Sequence, residues 1–265
     1  MTHTPASPAA AKSPAAIAMG WMHTAKFLTT APTLEFLPTL DVPEIAFVGR
    51  SNAGKSTCIN TLTQQKRLAF ASKTPGRTQS INLFALGKQG VTDAVLADLP
   101  GYGYAAVAKA AKARWQEVMA DYLRVRRNLA CVVQMVDSRH GFTDLDRQLL
   151  QFVAPRLANG EVRLLVLLTK ADKLNRSESN AALAAAQAEL GAVATDEADV
   201  GMVLFSALKK TGVGDAAEAV LTGAQAEHAR SAVGKPLDLP RQAGGGGHGG
   251  GATGRRSACA GGRRQ

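Results

Sequence analysis

Through the middle of the chain, short runs of apolar residues alternate with longer stretches in which apolar side chains recur every three or four positions. The short runs, at 45–48, 80–86, 92–97, 131–136, 164–168 and 202–205, have the length and turn-residue boundaries of strands. The longer stretches predict helices over 55–63, 105–127, 143–157, 177–190 and 215–221. In the second of these, Val107, Ala111, Trp115, Val118 and Tyr122 fall on one stripe; in the third, Leu145, Leu149, Phe152 and Val153 share a face that stops at Asn159-Gly160. Alternation of this kind predicts an α/β fold of three layers, a mostly parallel sheet with helices on both faces. The runs 80–86 and 92–97 depart from the rule, because the link at 87–90 is too short for a crossover helix and makes them an antiparallel hairpin. The expected sheet is therefore six-stranded, with one antiparallel strand. Ligands of such sheets sit beyond the C-terminal strand ends, so chemical residues should cluster just after each apolar run.

The two ends lack this patterning. Residues 1–18 are mostly Ala, Pro, Ser and Thr, and residues 223–265 are rich in Gly, Arg and Ala and include GGGGHGGG. Both read as disordered tails, at 1–21 and 223–265, around a folded domain at 22–222. Trp21, Met22, Phe27 and Leu28 suggest a short docked segment at the front of that domain. Charge follows the same division. Of the formal +10, residues 223–265 hold seven Lys or Arg against two acids and residues 1–30 hold two Lys and no acid, leaving 22 basic and 19 acidic side chains in 31–222. Basic tails can add salt-sensitive affinity for RNA or be merely solvated. Cys58, Cys131 and Cys259 have no metal-ligand spacing and an odd count for disulfides, which fits reduced thiols in cytoplasm. No run approaches the roughly 18 apolar residues of a membrane span, and the N-terminus is too weakly apolar for a secretory signal. A monomer is expected, since no heptad seam or long apolar edge is present.

Directly after the first strand comes GRSNAGKS, in which Gly49, Gly54, Lys55 and Ser56 meet the phosphate-loop pattern G-x-x-x-x-G-K-[ST]. Glycines let successive backbone N–H groups face an anion, and the helix N-terminus adds positive potential. Gly49, Arg50, Ser51, Asn52, Ala53, Gly54, Lys55, Ser56 and Thr57 are thus the expected phosphate-binding set, with Lys55 reaching the outer phosphates and Ser56 ligating Mg²⁺. Later strand ends name the base. After 164–168 stands TKADK, where Asp172 can accept from both the ring N–H and the exocyclic amine of guanine, a donor pair adenine lacks. Thr169 begins this turn, and the Lys170 stem packs along the base. After 202–205, Phe205, Ser206 and Ala207 bring backbone to the guanine carbonyl. Between them DLPGYGYA supplies Asp98, which can hold Mg²⁺ through water, then Leu99, Pro100 and Gly101, whose N–H can meet the γ-phosphate. In SKTPGRTQ, Thr74 and Thr78 compete to complete the Mg²⁺ shell when a γ-phosphate is present, which makes the two loops a GTP-ordered switch.

Taken together, EIAFVGRSNAGKST, SKTPGRTQSINLF, DLPGYGYA, YLRVRRNL, TKADKL and FSALKKTG resemble the EngB/YihA (YsxC) family of bacterial ribosome-biogenesis GTPases, within the TrmE-Era-EngA-YihA group. The resemblance covers about 27–221. It implies a small GTPase-like P-loop domain that binds GTP and GDP, hydrolyses GTP to GDP and phosphate, and assists assembly of the large ribosomal subunit through contacts with its RNA and proteins. It favours Thr78 over Thr74, with Gly76 and Arg77 in the same nucleotide-contacting loop. Family descriptions that mention septum formation leave an alternative of another class, a GTP-binding interaction protein in cell division with little turnover. The chain departs from the family pattern in its long Ala/Pro N-terminus, in Ala53 where Val is common, and in its Gly/Arg C-terminus.

Many GTPases follow D-x-x-G with a glutamine that orients the attacking water; here the residue is Tyr102, whose phenol cannot accept from water and donate to phosphate as an amide does. Intrinsic hydrolysis should be slow, with Lys55, Gly101, Thr78 and Asn52 as the expected catalytic set. Tyr102 reads better as packing than as catalysis. Asn52 either tolerates the turn of the loop or ligates a K⁺ beside the phosphates, as in related GTPases with Asn at this point. Arg77 reads as a partner contact.

Overall fold

The computed structural model describes residues 12–70, 80–103 and 109–233. Its elements run α1 (Pro14–Met22), β1 (Lys26–Ala31), β2 (Glu44–Gly49), α2 (Lys55–Leu62), β3 (Ile81–Leu86), β4 (Ala94–Asp98), α3 (Lys109–Val125), β5 (Leu129–Asp137), α4 (Asp144–Ala158), β6 (Arg163–Thr169), α5 (Arg176–Gly191), β7 (Val200–Leu204) and α6 (Val213–Val233). The seven strands form one sheet in the order β1-β3-β4-β2-β5-β6-β7. β3 runs against both neighbours, β1 and β4; the other pairings are parallel.

Side chains alternate across a strand, so each strand feeds two cores. Ile45 and Phe47 of β2 join Cys131, Val133, Leu165 and Leu167 in a layer with α1, α2 and α6, through Ala18, Trp21, Met22, Cys58, Ile59, Leu62, Ala216, Ala217 and Val220. Ala46 and Val48 join Val132, Val136, Leu164 and Val166 in the opposite layer, with Met119, Tyr122 and Leu123 of α3, Leu149, Val153 and Leu157 of α4, and Leu190 of α5. Each fully buried Leu, Ile or Phe contributes about 1.5–3 kcal/mol relative to exposure. β5 and β6, buried on both faces, are apolar apart from Gln134 and their end residues, as central parallel strands are. Local signals set the helix starts. Asp146 accepts from the N–H and hydroxyl of Thr143 ahead of α4, while Asn175 and Glu178 bond each other's backbone N–H ahead of α5. The YLRVRRNL segment is structural: the Tyr122 hydroxyl and the Arg126 guanidinium both donate to the fully buried Glu44 carboxylate, pinning the end of α3 to the start of β2.

Three expectations are corrected. The sheet has seven strands, because 26–31 pairs along β3 by backbone bonds while burying only Ala31; its pattern carries no apolar alternation to betray it. Cross-strand contacts hold it, Phe27 edge-on to Phe84 and Thr30 bonded to Asn82. The expected N-terminal tail holds a helix: Ser13 caps Ala16, Pro14 opens α1, and Ala18, Trp21 and Met22 are buried. Gly214 at the start of α6 lies so close that a β-carbon there would stand 3.2 Å from that of Ala15, a fit that needs small residues on both helices. α6 in turn runs to Val233, past the expected domain end at 222. Residues 1–11 and 234–265 lie outside the described residues, as does Val107; the side chains of Ala111 and Trp115 are likewise not described.

Candidate functional site

The chain leaves β2 at Gly49 and enters α2 at Lys55 after turning through Asn52 (φ 67°) and Gly54 (φ 98°), both left-handed. Glycine meets that demand at 54 without strain, and asparagine is among the residues that tolerate it at 52. Among the described residues no side chain caps α2, so the N–H groups of its first turn face an anion site at the positive end of the helix. Ser56 is half-buried and Thr57 exposed at that turn. Lys55 is ion-paired to Asp98 at the end of β4, with both side chains largely buried.

Beyond Asp98 the chain stays against the phosphate loop. Leu99 N–H donates to Phe47 at 3.1 Å, Tyr102 N–H donates to Gly49 at 3.3 Å, and Ser51 N–H donates to the Tyr102 carbonyl at 2.7 Å. A β-carbon on Gly101 would lie 3.3 Å from the Ser51 nitrogen, tighter than a side chain there sits comfortably. Tyr102 is 2% exposed and its hydroxyl donates to Asp146 Oδ1 at 2.6 Å. Burial, and then the Asp146 charge, push its pKa well above the ordinary value, so it stays a neutral donor. The side chain is packing, turned into the core on the α4 side. Gly76, Arg77 and Thr78, and Thr74 with them, lie outside the described residues.

At the other end, β6 delivers Thr169, whose buried hydroxyl donates to the Ala53 carbonyl at 2.7 Å and so fixes the phosphate loop. Lys170 Nζ donates at 2.8 Å to the Asn52 carbonyl and at 2.8 Å to Asp137 Oδ2. Ser206, after β7, donates its hydroxyl to Asp172 Oδ1 at 2.7 Å, and that bond holds the Asp172 carboxyl below the ordinary carboxylate value. Ala171 N–H donates to the Phe205 carbonyl, joining the two turns. Phe205, Leu99, Pro100 and Ala53 have buried side chains, so contacts from these four fall to the backbone. A cleft of about 210 Å³ flanks the loop, lined by Arg50, Ser51, Asn52, Ala53, Asp137 and Lys170 among others.

The ends of β2, β4, β6 and β7 thus meet at one edge, as the strand-end rule predicts, and three side-chain bonds join the phosphate loop to later strands. Two participants escape the motif reading. Asp137 ends β5 and takes bonds from Lys170 and Arg139; partial burial pushes its carboxyl up, but those bonds hold it well below the ordinary range. Asp146 anchors Tyr102 while opening α4. The strand-end rule, applied to β5, selects Asp137; only a contact map selects Asp146. Mg²⁺ needs hard oxygen donors, and Ser56 and Asp98 supply a hydroxyl and a carboxylate on adjoining elements. Among the described residues no cluster of three His, Cys, Asp or Glu competes for a metal.

A phosphate loop opening the first helix of a mostly parallel sheet, with an Asp–Ser pair at the far strand ends, defines a P-loop GTPase domain. Comparison with known proteins narrows this. A family model described as 50S ribosome-binding GTPase matches residues 44–170. The probable GTP-binding protein EngB of Polaromonas sp. strain JS666 is 64% identical over 214 residues, 81% of this chain and 84% of that one. Its counterpart in Albidiferax ferrireducens is 65% identical over 202 residues, 76% and 93% of the two chains. The crystal structure of a probable GTP-binding protein engB matches with TM-score 0.50 at 21% identity, over 69% of this chain and 99% of that one. Era, solved with MgGDPNP and a 16S ribosomal RNA segment, gives 0.51 at 21% identity, over 69% and 57%. At these identities the structural likeness is one of fold. The chain belongs to the EngB family of GTP-binding proteins and is a GTPase.

Proposed function

We propose that the protein is a monomeric, cytoplasmic, GTP-driven switch in assembly of the bacterial large ribosomal subunit, slow to hydrolyse GTP until a partner assists. The observation that carries the switch is the Lys55–Asp98 ion pair: the ammonium meant for the outer phosphates and the carboxylate meant for the metal's water shell hold each other. A nucleotide's phosphates compete for Lys55 and free the Asp98 carboxylate at the β4 end, which leads into Gly101 and Tyr102 beside the phosphate loop. Ser56 and Asp98, with Thr78, would hold Mg²⁺, which when bound neutralises charge developing on the phosphates. Asp172 and Ser206 supply the guanine preference, and the Gly101 N–H is the donor for the γ-phosphate.

Slow turnover follows from Tyr102. Its side chain is committed to Asp146, so the residue that follows Gly101 supplies no amide to orient water. Asn52, exposed at the rim of the loop, is the proposed K⁺ ligand that supplies the missing charge, although its left-handed φ also accounts for the residue. Equal turnover in KCl and NaCl at matched ionic strength eliminates the K⁺ role. Support for the ribosomal partner comes from the family description as 50S ribosome-binding and from the net charge of +10. No helix among the described residues is long and apolar enough to cross a membrane.

The test is sedimentation of cell extract on sucrose with GDP or a non-hydrolysable GTP analogue. Migration with large-subunit particles that depends on the nucleotide is the expected result. Migration with membranes, or none with particles, removes the ribosomal role.

A further inference from the structure

β5 ends at Asp137, in register with Thr169 of β6, which puts its carboxylate beside the next residue of the base-side turn, Lys170. Both carboxylate oxygens are engaged. Oδ1 accepts from Arg139 Nε at 2.9 Å and from the Arg139 backbone N–H at 3.1 Å; Oδ2 accepts from Arg139 Nη2 at 2.7 Å and from Lys170 Nζ at 2.8 Å. A fork of this kind removes the rotational freedom of the carboxylate and leaves one direction for the lysine to meet. Lys170 itself has φ 59°, a backbone region that non-glycine residues keep only where the surroundings enforce it. Its ammonium is held at two points, Asp137 and the Asn52 carbonyl. The carbonyl is neutral; the charge opposite Lys170 comes from Asp137.

We propose that Asp137 is a positioning residue for guanine recognition: it fixes the Lys170 ammonium against the rim of the phosphate loop, so that the lysine stem lies where the base packs, and Arg139 in turn fixes Asp137. The inference rests on the assignment of the Thr169–Asp172 turn as the base-contacting edge. Asp137 acts through Lys170 and the base, both common to GDP and GTP, so it sets affinity for the two nucleotides equally. It thereby differs from Lys55, whose ligand is the phosphate chain.

The test uses the full-length protein and fluorescent GDP and GTP-analogue titrations of Asp137→Asn, Lys170→Ala and the double variant. Asp137→Asn keeps the shape and loses the charge, so both affinities should fall about 10- to 100-fold, as expected for a lost charge-assisted bond, with the GTP-to-GDP ratio unchanged. The double variant should bind no more weakly than Lys170→Ala alone, because the aspartate has no other route to the base. Additive losses point to general damage and overturn the proposal. So does wild-type affinity in Asp137→Asn when Lys170→Ala is weakened. If Lys170→Ala itself binds normally, the base-edge assignment fails first and the inference with it. Should Asp137→Asn fold poorly, Arg139→Ala, at a side chain 41% exposed, serves instead. It should give a smaller loss in the same direction, and no loss at all counts against the chain from Arg139 to Lys170.

Discussion

The two ends of the nucleotide site are built differently. At the end proposed to meet the base, Thr169, Lys170, Asp172 and Ser206 are each held by a hydrogen bond to a neighbour. At the end proposed to meet the γ-phosphate, Lys55 and Asp98 are bonded to each other, and the loop beyond Asp98 is bonded back onto the phosphate loop. A preformed end binds without reorganisation and supplies affinity for either nucleotide. An end that must exchange partners is where GDP and GTP can differ, because the β-phosphate is common to both and the γ-phosphate adds a further contact.

The largest expected effect strikes the base end. Asp172→Ala removes the paired acceptor for the two guanine donors, and preference for GDP over ADP should collapse by about 10⁴-fold in competition binding. Retained preference would move base recognition elsewhere. At the other end, Lys55→Ala should weaken the GTP analogue about 100-fold while weakening GDP less. An equal loss for both nucleotides would erase the distinction between the ends. Tyr102→Phe sharpens it from the side: Asp146 Oδ1 loses its donor, so urea unfolding should show a loss of about 1–3 kcal/mol with GTP turnover unchanged. A fall in turnover without loss of stability would give the phenol a catalytic role. The smallest effect concerns pH. Since Ser206 lowers the Asp172 pKa from 3.8, the ionised acceptor persists above the ordinary carboxylate range and is lost only as pH falls through the depressed value. The ratio of GDP to ADP affinity, in which phosphate titration cancels, should therefore be flat from pH 8 to pH 5.

Strand–helix alternation and the strand-end rule made most of this site legible from residues. β2, β4, β5 and β6 stand out because central parallel strands buried on both faces are largely apolar, and Gly54, Lys55, Asp98 and Asp172 stand at or just after strand ends in order. Of the docked segment expected at Trp21, Met22, Phe27 and Leu28, the first two are buried and the last two exposed, and β1 and α1 escape the pattern as elements for a different reason in each case. β1 is an edge strand held by backbone pairing to a partner some fifty residues away, with one side chain in six buried. α1 is short, with Ala and Gly on much of its surface, and its place depends on the small residues opposite it in α6. The couplings inside the site are equally non-local. Asp137 and Asp146 bond residues 33 and 44 positions away, and no local motif marks either pairing.

Amide hydrogen exchange read by mass spectrometry, with GDP and with a non-hydrolysable GTP analogue, tests the contrast between the ends most directly. Peptides covering Asp98–Tyr102 should differ in protection between the two nucleotides, while those covering Thr169–Asp172 and Phe205–Ala207 should be protected alike by both. Equal behaviour of Asp98–Tyr102 in the two states, or a nucleotide-dependent change at the base end, would contradict the account.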